Sequence, residues 1–271
     1  MTVDIDRVTR LTCQVGDDII VPRFRALRAG DVRSKATSAD LDDVVTVVDH
    51  EAEAALTSGL REIHDAPVIG EEAAADDPSI LSRLAHDGPL WIVDPLDGTR
   101  NFAGGDDGFG VMVSYVEDRR VRAAWIRPPV RNETFVAEAG SGAFLDGRRV
   151  QVPVAPAPER PAGNLFIRFM PPESREMVVA RLQDHIEPAA QSGAAAVEYT
   201  DVLRGRKDFV LYYRLLPWDH GAPALVLTEA GGTASHLDGA PYSVVSPSQI
   251  TIVAAHAETS RMIRRWIGGV T

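Results

Sequence analysis

Between Val44 and Ile63 the apolar residues Val44, Val48, Ala52, Ala55, Leu56, Leu60 and Ile63 return every three or four positions. That period lays one stripe along an amphipathic helix. A weaker helical stripe runs from about Ile5 to Leu27 and is interrupted at Pro22. Beyond Ile63 the pattern becomes short apolar runs closed by turn residues: Pro67 to Ile69 before Gly70, Leu90 to Val93 before Asp94, Gly110 to Tyr115, and Val121 to Ile126. Such runs predict strands, the last two an antiparallel pair. Thr134 to Ala137 and Ala143 to Leu145, separated by Glu138-Ala139-Gly140-Ser141-Gly142, predict a hairpin with a further Asp146-Gly147 turn at its exit.

The stretch from Val152 to Pro161 is proline-rich and breaks the pattern. It predicts the joint between an N-terminal lobe, residues 1–152, and a C-terminal lobe, residues 153–271. The second lobe alternates strand and helix: a strand from Asn164 to Phe169, helices over Ser174 to Ile186 and Ala194 to Leu203, a strand from Asp208 to Tyr212, and a helix opening near Trp218. Layers of helix and sheet are the expected architecture, and no internal repeat suggests a solenoid.

Composition narrows this picture. The chain has 271 residues, 45% of them hydrophobic and 25% charged, which fits one large domain or two closely packed smaller ones. A formal net charge of -11 with no long basic stretch argues against electrostatic binding to nucleic acid or an anionic membrane. The opening 24 residues scatter acids through their apolar positions, reading as neither signal peptide nor anchor, so a cytoplasmic location is expected. Cys13 is the only cysteine, which excludes an internal disulfide and makes Cys13 a packing residue.

Three acidic sites lie where strands end or helices begin: Glu71-Glu72 after Gly70, Asp94 and Asp97 within WIVDPLDGTRNF, and Asp219 after Trp218. Two carboxylates aimed at one space disfavour each other's ionisation unless a cation offsets them. Oxygen donors of this kind suit a hard cation such as Mg2+, shared with a substrate phosphate. Pro95 is expected to stop the strand ladder and Gly98 to allow a tight turn, so that Asp94 and Asp97 converge. Thr99 would begin a helical turn whose exposed N–H groups favour an anion, and Asp219 would precede a helix from Gly221 to Ala230 with Pro223 in its first turn. Taken singly, Asp-Pro, Asp-Gly and an acid before a helix are ordinary turns and caps. Their joint occurrence points to a metal and phosphate site.

The residues carrying this reading resemble the inositol monophosphatase-like family of Mg2+-dependent, lithium-sensitive phosphatases. The resemblance runs from VVTVVDHEAEAAL (44–56) through VIGEE (68–72), WIVDPLDGTRNF (91–102) and GSGAFLDG (140–147) to WDHGAPALVLTEAGG (218–232). The family motif D-P-[LI]-D-G-T-x-N-F is present without substitution. The resemblance implies a layered α-β-α-β-α sugar-phosphatase fold, assembled as a homodimer, with two or three Mg2+ ions. By position, Glu71, Asp94 and the Leu96 carbonyl would hold one ion, and Asp94, Asp97 and Asp219 a second. Asp49, in the family's T-x-x-D helix motif, would orient water beside the site, while Glu71 and Thr99 would position and activate it. By the same resemblance, Asp97, Gly98, Thr99, Ala194, Tyr212 and Asp219 would face the substrate. Such chemistry needs no covalent nucleophile, and Gly140-Ser141-Gly142 lacks the spacing of a nucleophile elbow.

The sequence departs from inositol-specific members at Tyr212, seven residues before Asp219, where those members carry a glutamate. A tyrosine does not supply a carboxylate's acceptors, which argues against inositol. Tyr212, Tyr213 and Arg214, with Arg168, could instead meet an aromatic or second anionic group, or be strand packing and rim charges. His220 beside Asp219 could be a ligand or proton donor, or a structural histidine. Residues 103–108 resemble a mobile segment, and their acids, with Glu72 and Arg100, read as solvated. The expectation is a phosphomonoesterase for a small cytoplasmic metabolite: inositol monophosphate, histidinol phosphate, fructose 1,6-bisphosphate, 3′-phosphoadenosine 5′-phosphate or NADP. A non-catalytic binding or regulatory protein on the same scaffold is the alternative, disfavoured because every expected ligand is present.

Overall fold

A computed structural model of the chain describes residues 3–28, 30–35 and 44–269. Helix α1, Ile5–Val15, starts at Asp4, whose carboxylate accepts from the Arg7 N–H at 3.0 Å. The predicted continuation to Leu27 loosens before Pro22 is reached, passing into a π-helical turn at Gly16–Ile20 and a 3-10 turn at Val21–Arg23. Strands β1, Val32–Ser34, and β2, Val44–Thr46, form an antiparallel pair. Helix α2 is therefore Val47–Ile63, shorter at its start than the periodicity suggests. The reason is a capping box: Thr46 Oγ1 accepts from the Val48 N–H, and Asp49 reaches back to the Thr46 N–H at 2.8 Å.

A seven-stranded sheet follows, in the order β3 (Val68–Gly70), β4 (Leu90–Asp97), β5 (Gly110–Glu117), β6 (Arg120–Arg127), β7 (Phe135–Glu138), β8 (Gly142–Leu145) and β9 (Arg148–Val150). Only β3 and β4 run parallel; the others form antiparallel neighbours, including the two predicted hairpin strands. Two short helices rise from this sheet: α3, Glu71–Asp76, directly after β3, and α4, Thr99–Gly104, directly after Gly98. Residues 152–158 have no regular structure.

The remaining chain builds a five-stranded sheet from β10 (Ala162–Phe166), β11 (Glu187–Pro188), β12 (Phe209–Tyr213), β13 (Thr233–His236) and β14 (Ile250–Ala254), in the order β11-β10-β12-β14-β13. Its helices are α5 (Pro172–Leu182), α6 (Ala195–Leu203), α7 (Pro217–Glu229) and α8 (Ala257–Ile267). Pro217 opens α7, so Asp219 sits inside its first turn and Pro223 in its interior, one turn later than the sequence suggested. α1 and α2 cover one face of the large sheet; α6 and α7 fill the space between the sheets; α5 and α8 cover the far face of the small one. The expected α-β-α-β-α layering is what forms.

The middle layer is pinned by Glu198 of α6, which is fully buried. One carboxylate oxygen accepts from Ser192 N at 2.6 Å and Ser192 Oγ at 2.8 Å; the other accepts from Asn164 Nδ2 at 3.0 Å and pairs with the buried Lys207 ammonium. This group ties α6 to β10 and to the segment entering β12. Removing one member of a buried, saturated ion pair strands the other charge away from water. Glu198→Gln should therefore lower unfolding stability by about 3 kcal/mol in urea titrations. A loss within about 0.5 kcal/mol, the range of ordinary surface changes, would contradict this account.

Candidate active site

The stretch from Asp94 to Asp97 does not end its strand, as Pro95 suggested, but continues it across a bulge. Asp94 pairs with Met112 and Asp97 with Gly110, so three steps on β4 match two on β5. In a regular strand residues three apart face opposite sides; the extra residue changes that parity and lets both carboxylates face one space. Both are buried, Asp94 at 1% exposure and Asp97 at 8%. Burial, followed by the charges of Glu71, Asp97 and Asp219, pushes the Asp94 carboxyl well above the usual range. Burial likewise raises Asp97 to about 7, against the opposing pull of two backbone N–H donors.

Those donors belong to the distant helix α6. Ala195 N–H donates to Asp97 Oδ1 at 3.1 Å and Ala196 N–H to Oδ2 at 2.6 Å. Asp97 thus caps α6 across the intervening chain, bringing Ala194 to the site as that helix's N-cap. Gly98 makes the approach feasible. Its φ is 87°, and a Cβ there would lie 2.7 Å from the Gly108 carbonyl oxygen and 2.9 Å from the Ala194 Cβ.

Thr99 follows as the first residue of α4, and its hydroxyl lies 2.8 Å from Asp49 Oδ1 and 3.0 Å from the Leu96 carbonyl. The second Asp49 oxygen is taken by Thr46. Asp49 therefore locks the start of α2 and aims Thr99 with the same carboxylate, whose pKa burial raises. Leu96 is held in turn by its N–H, which donates to Asp94 Oδ1 at 3.0 Å.

Glu71 begins α3, and the sequence missed what orients it. Glu53, one turn after Asp49 on α2, accepts from the N–H groups of Glu72 at 2.8 Å and Ala73 at 2.9 Å. Gly70 lacks a Cβ because that atom would lie 2.3 Å from the Glu53 carboxyl. The readable signal was a charge at i+4 from Asp49 on the buried stripe of a helix. Glu72 is buried at 5% exposure, contrary to the solvated reading, and burial with the nearby Glu71 charge raises it to about 8. Lys35 answers both acids, its ammonium 3.0 Å from Glu71 and 2.8 Å from Glu72. Burial alone would lower the Lys35 pKa; the two carboxylates raise it above its ordinary value.

Residues 103–108, expected to be mobile, are stitched in place. Asn101 Nδ2 donates to the Gly108 carbonyl at 2.6 Å and to the Ser192 carbonyl at 2.7 Å, and Asp106 accepts from the Gly108 N–H at 2.8 Å. His220 is a structural residue. It is 2% exposed, its Nδ1 lies 3.0 Å from the Tyr199 hydroxyl, and burial lowers its pKa to about 3. Asp97, Ala194, Tyr212 and Asp219 line one cleft of about 380 Å3, together with Arg100, Arg168 and Arg214. A larger groove of about 740 Å3 between His50, Arg61 and Asp76 contains none of the expected substrate-facing residues.

The oxygen-only donor set of Glu71, Asp94, Leu96, Asp97 and Asp219 has the chemistry of a hard-cation site. Among the described residues, no three acidic, histidine or cysteine side chains stand already gathered at metal-holding distance. What fits the cation is the burial of two carboxyls beside further acids: burial raises both, with Glu71, Asp97 and Asp219 adding to it at Asp94 and Glu71 and Glu198 at Asp97.

Known proteins match nearly the whole chain. Residues 4–266 match the model of the Inositol monophosphatase family. A Thermotoga maritima protein named fructose-1,6-bisphosphatase/inositol-1-monophosphatase is 30% identical over 211 residues, 77% of this chain and 77% of its own. The Nus factor SuhB of Pseudomonas aeruginosa is 32% identical over 227 residues, 80% of each chain. A solved Thermotoga maritima IMPase superposes with a TM-score of 0.80 at 27% identity, covering 98% of this chain and 96% of that one. With the DPLDGTRNF motif on a bulged strand and the layered fold around it, the chain belongs to the inositol monophosphatase family, a family of phosphoric monoester hydrolases for which magnesium dependence and lithium sensitivity are characteristic.

Proposed function

We propose that this chain hydrolyses the phosphate monoester of a small metabolite, with Mg2+ held by Glu71, Asp94, Asp97, Asp219 and the Leu96 carbonyl. The observation that carries this reading is the buried pair Asp94 and Asp97, raised in pKa by burial and by neighbouring acids and therefore short of positive charge. When bound, the cation neutralises charge on the phosphate and acidifies the attacking water. Glu71 accepts that water's proton, and Thr99, its hydroxyl fixed by Asp49 and Leu96, aligns its oxygen. The N–H groups around Gly98 and Thr99 receive the phosphate oxygens. Asp97, bonded to α6, sets how closely Ala194 approaches that seat. Lys35 supplies a positive charge at Glu71 from within the chain, and a cation held there would give Glu71 a second positive partner.

No helix among the described residues is long and apolar enough to cross a membrane. A relative named as a Nus factor matches as closely as one named a phosphatase, so net charge alone does not separate this chain from nucleic-acid partners. The homodimer implied by the family resemblance belongs to the proposal, as does the identity of the ester.

Phosphate release from a panel of metabolite monoesters, with Mg2+ and with chelator, tests the activity. Wild type should release phosphate only with Mg2+, and Asp94→Asn should lower kcat/KM at least about 100-fold, as expected for a group that stabilises developing charge. No release from any ester, with Asp94→Asn behaving like wild type, removes the phosphatase reading.

Protonation of Asp97 at about 7 when folded, against its ordinary 3.8, means that the folded metal-free chain binds more protons over that interval. Stability then falls as pH rises from about 4 to about 7, since the unfolded chain is the less protonated. Thermal unfolding in chelator should give a higher Tm at about pH 6 than at about pH 8, and Mg2+ should raise Tm more at the higher pH. A Mg2+ effect independent of pH would speak against the pair as the cation's seat.

A further inference from the structure

We propose that the cleft wall formed by Arg168, Phe169, Tyr212 and Arg214 is a second anion subsite, and that the ester this chain accepts carries another anionic group on the body released by hydrolysis. This rests on the phosphatase reading and names its substrate class. The guanidinium carbon of Arg214 lies 3.8 Å from the centre of the Phe169 ring, and that of Arg168 lies 4.6 Å from the same centre. Both arginines line the cleft that Asp97 and Asp219 also line. Two like charges gathered on one ring, in a chain of net charge -11, are brought together against their mutual repulsion. The ring's negative face offsets part of that cost, and a ligand anion reaching Arg214 in the cleft would add to it.

The backbone at Arg214 is held in a conformation that its side chain disfavours. Its φ is 73°, in the left-handed region where glycine is the unstrained residue. The conformation is held by the Arg214 N–H, which donates to the Gln249 carbonyl at 2.9 Å. A strained non-glycine residue lining a cleft is a placement that packing alone does not call for.

Tyr212 gives an independent pointer to a ligand. Its side chain is 7% exposed, it lines the same cleft, and its hydroxyl is buried with no hydrogen-bond partner. The ring has little freedom to turn away, being stacked between Phe166 at 5.1 Å and Tyr199 at 5.7 Å. Burial and the nearby Tyr199 and Glu198 keep it a neutral phenol. A buried hydroxyl without a partner is costly, and a ligand oxygen is the partner that a cleft provides. Two guanidinium groups and one phenolic donor, with no carboxylate at position 212, are complementary to an anion rather than to a further sugar hydroxyl.

The test uses matched esters and the full chain with Mg2+. Glycerol 3-phosphate against 3-phosphoglycerate reads a carboxylate; fructose 1-phosphate against fructose 1,6-bisphosphate reads a second phosphate. Wild type should prefer the more anionic member of at least one pair by about tenfold or more in kcat/KM, the scale of one charge-assisted hydrogen bond. Arg214→Gly suits the local φ, so it should fold with a Tm no lower than wild type while that preference falls about tenfold; Arg214→Lys should restore part of it. Equal kcat/KM within both pairs overturns the subsite, as does a preference that survives in both Arg214→Gly and Arg168→Ala. If none of the four esters is hydrolysed and the wider panel of monoesters yields no phosphate either, the phosphatase reading fails by itself. Calorimetric binding of the same four then decides the subsite, equal affinities within each pair overturning it and a difference lost in Arg214→Gly supporting it.

Discussion

The structure depends on one carboxylate that does two incompatible things. Asp97 is the last residue of a strand in the large sheet, and both its oxygens receive N–H groups from the start of α6, the helix between the two sheets. A helix N-terminus favours a negative charge, so this bond holds the middle layer against the large sheet. The same carboxylate lies in a buried acidic neighbourhood that resists its ionisation. The fold asks for a charged Asp97 and the neighbourhood for a neutral one. On the proposed reading a cation would satisfy both, which would couple the site's occupancy to the seating of α6 through the two N–H bonds at Asp97.

Much of this was legible because the chain announces it locally. The alternation of apolar runs and turn residues located most of the strands, and DPLDGTRNF located the acids, since Pro, Gly and paired Asp are rare together at a strand end. The bulge was not legible. Pro95 reads as a stop, and only pairing with β5 reveals that the strand continues one residue out of step. The start of α2 was misjudged because Val44 fits the helical stripe, whereas the capping box at Thr46 and Asp49 decides the boundary.

What the sequence hid was mostly long-range and polar. Lys35, Glu53 and Glu198 carry charges that a linear reading assigns to solvent, yet each is satisfied by a group brought close only by folding: Glu71 with Glu72, the N–H groups of α3, and Lys207. Glu72 was misread for the same reason. His220, next to a metal-ligand candidate, read as a ligand or proton donor or else as a structural histidine; its burial and its hydrogen bond with Tyr199 fit the structural reading. Neighbourhood in sequence proved a poor guide to neighbourhood in charge.

Gly98 carries a consequence for how such a chain can drift over generations. A Cβ at this position meets a backbone oxygen as well as the Ala194 side chain, and its φ is unfavourable for any other residue. No compensating change at Ala194 relieves the backbone contact, so position 98 is closed to exchange even in pairs. Arg214 is the opposite case: its φ is one that glycine would relieve, and its side chain lies over a ring at a half-buried wall. Descendants of this sequence are therefore free to vary at that wall while the Gly98 turn stays frozen. A lineage built this way diversifies at the wall of its cleft, with the turn that joins β4 to α4 inherited intact.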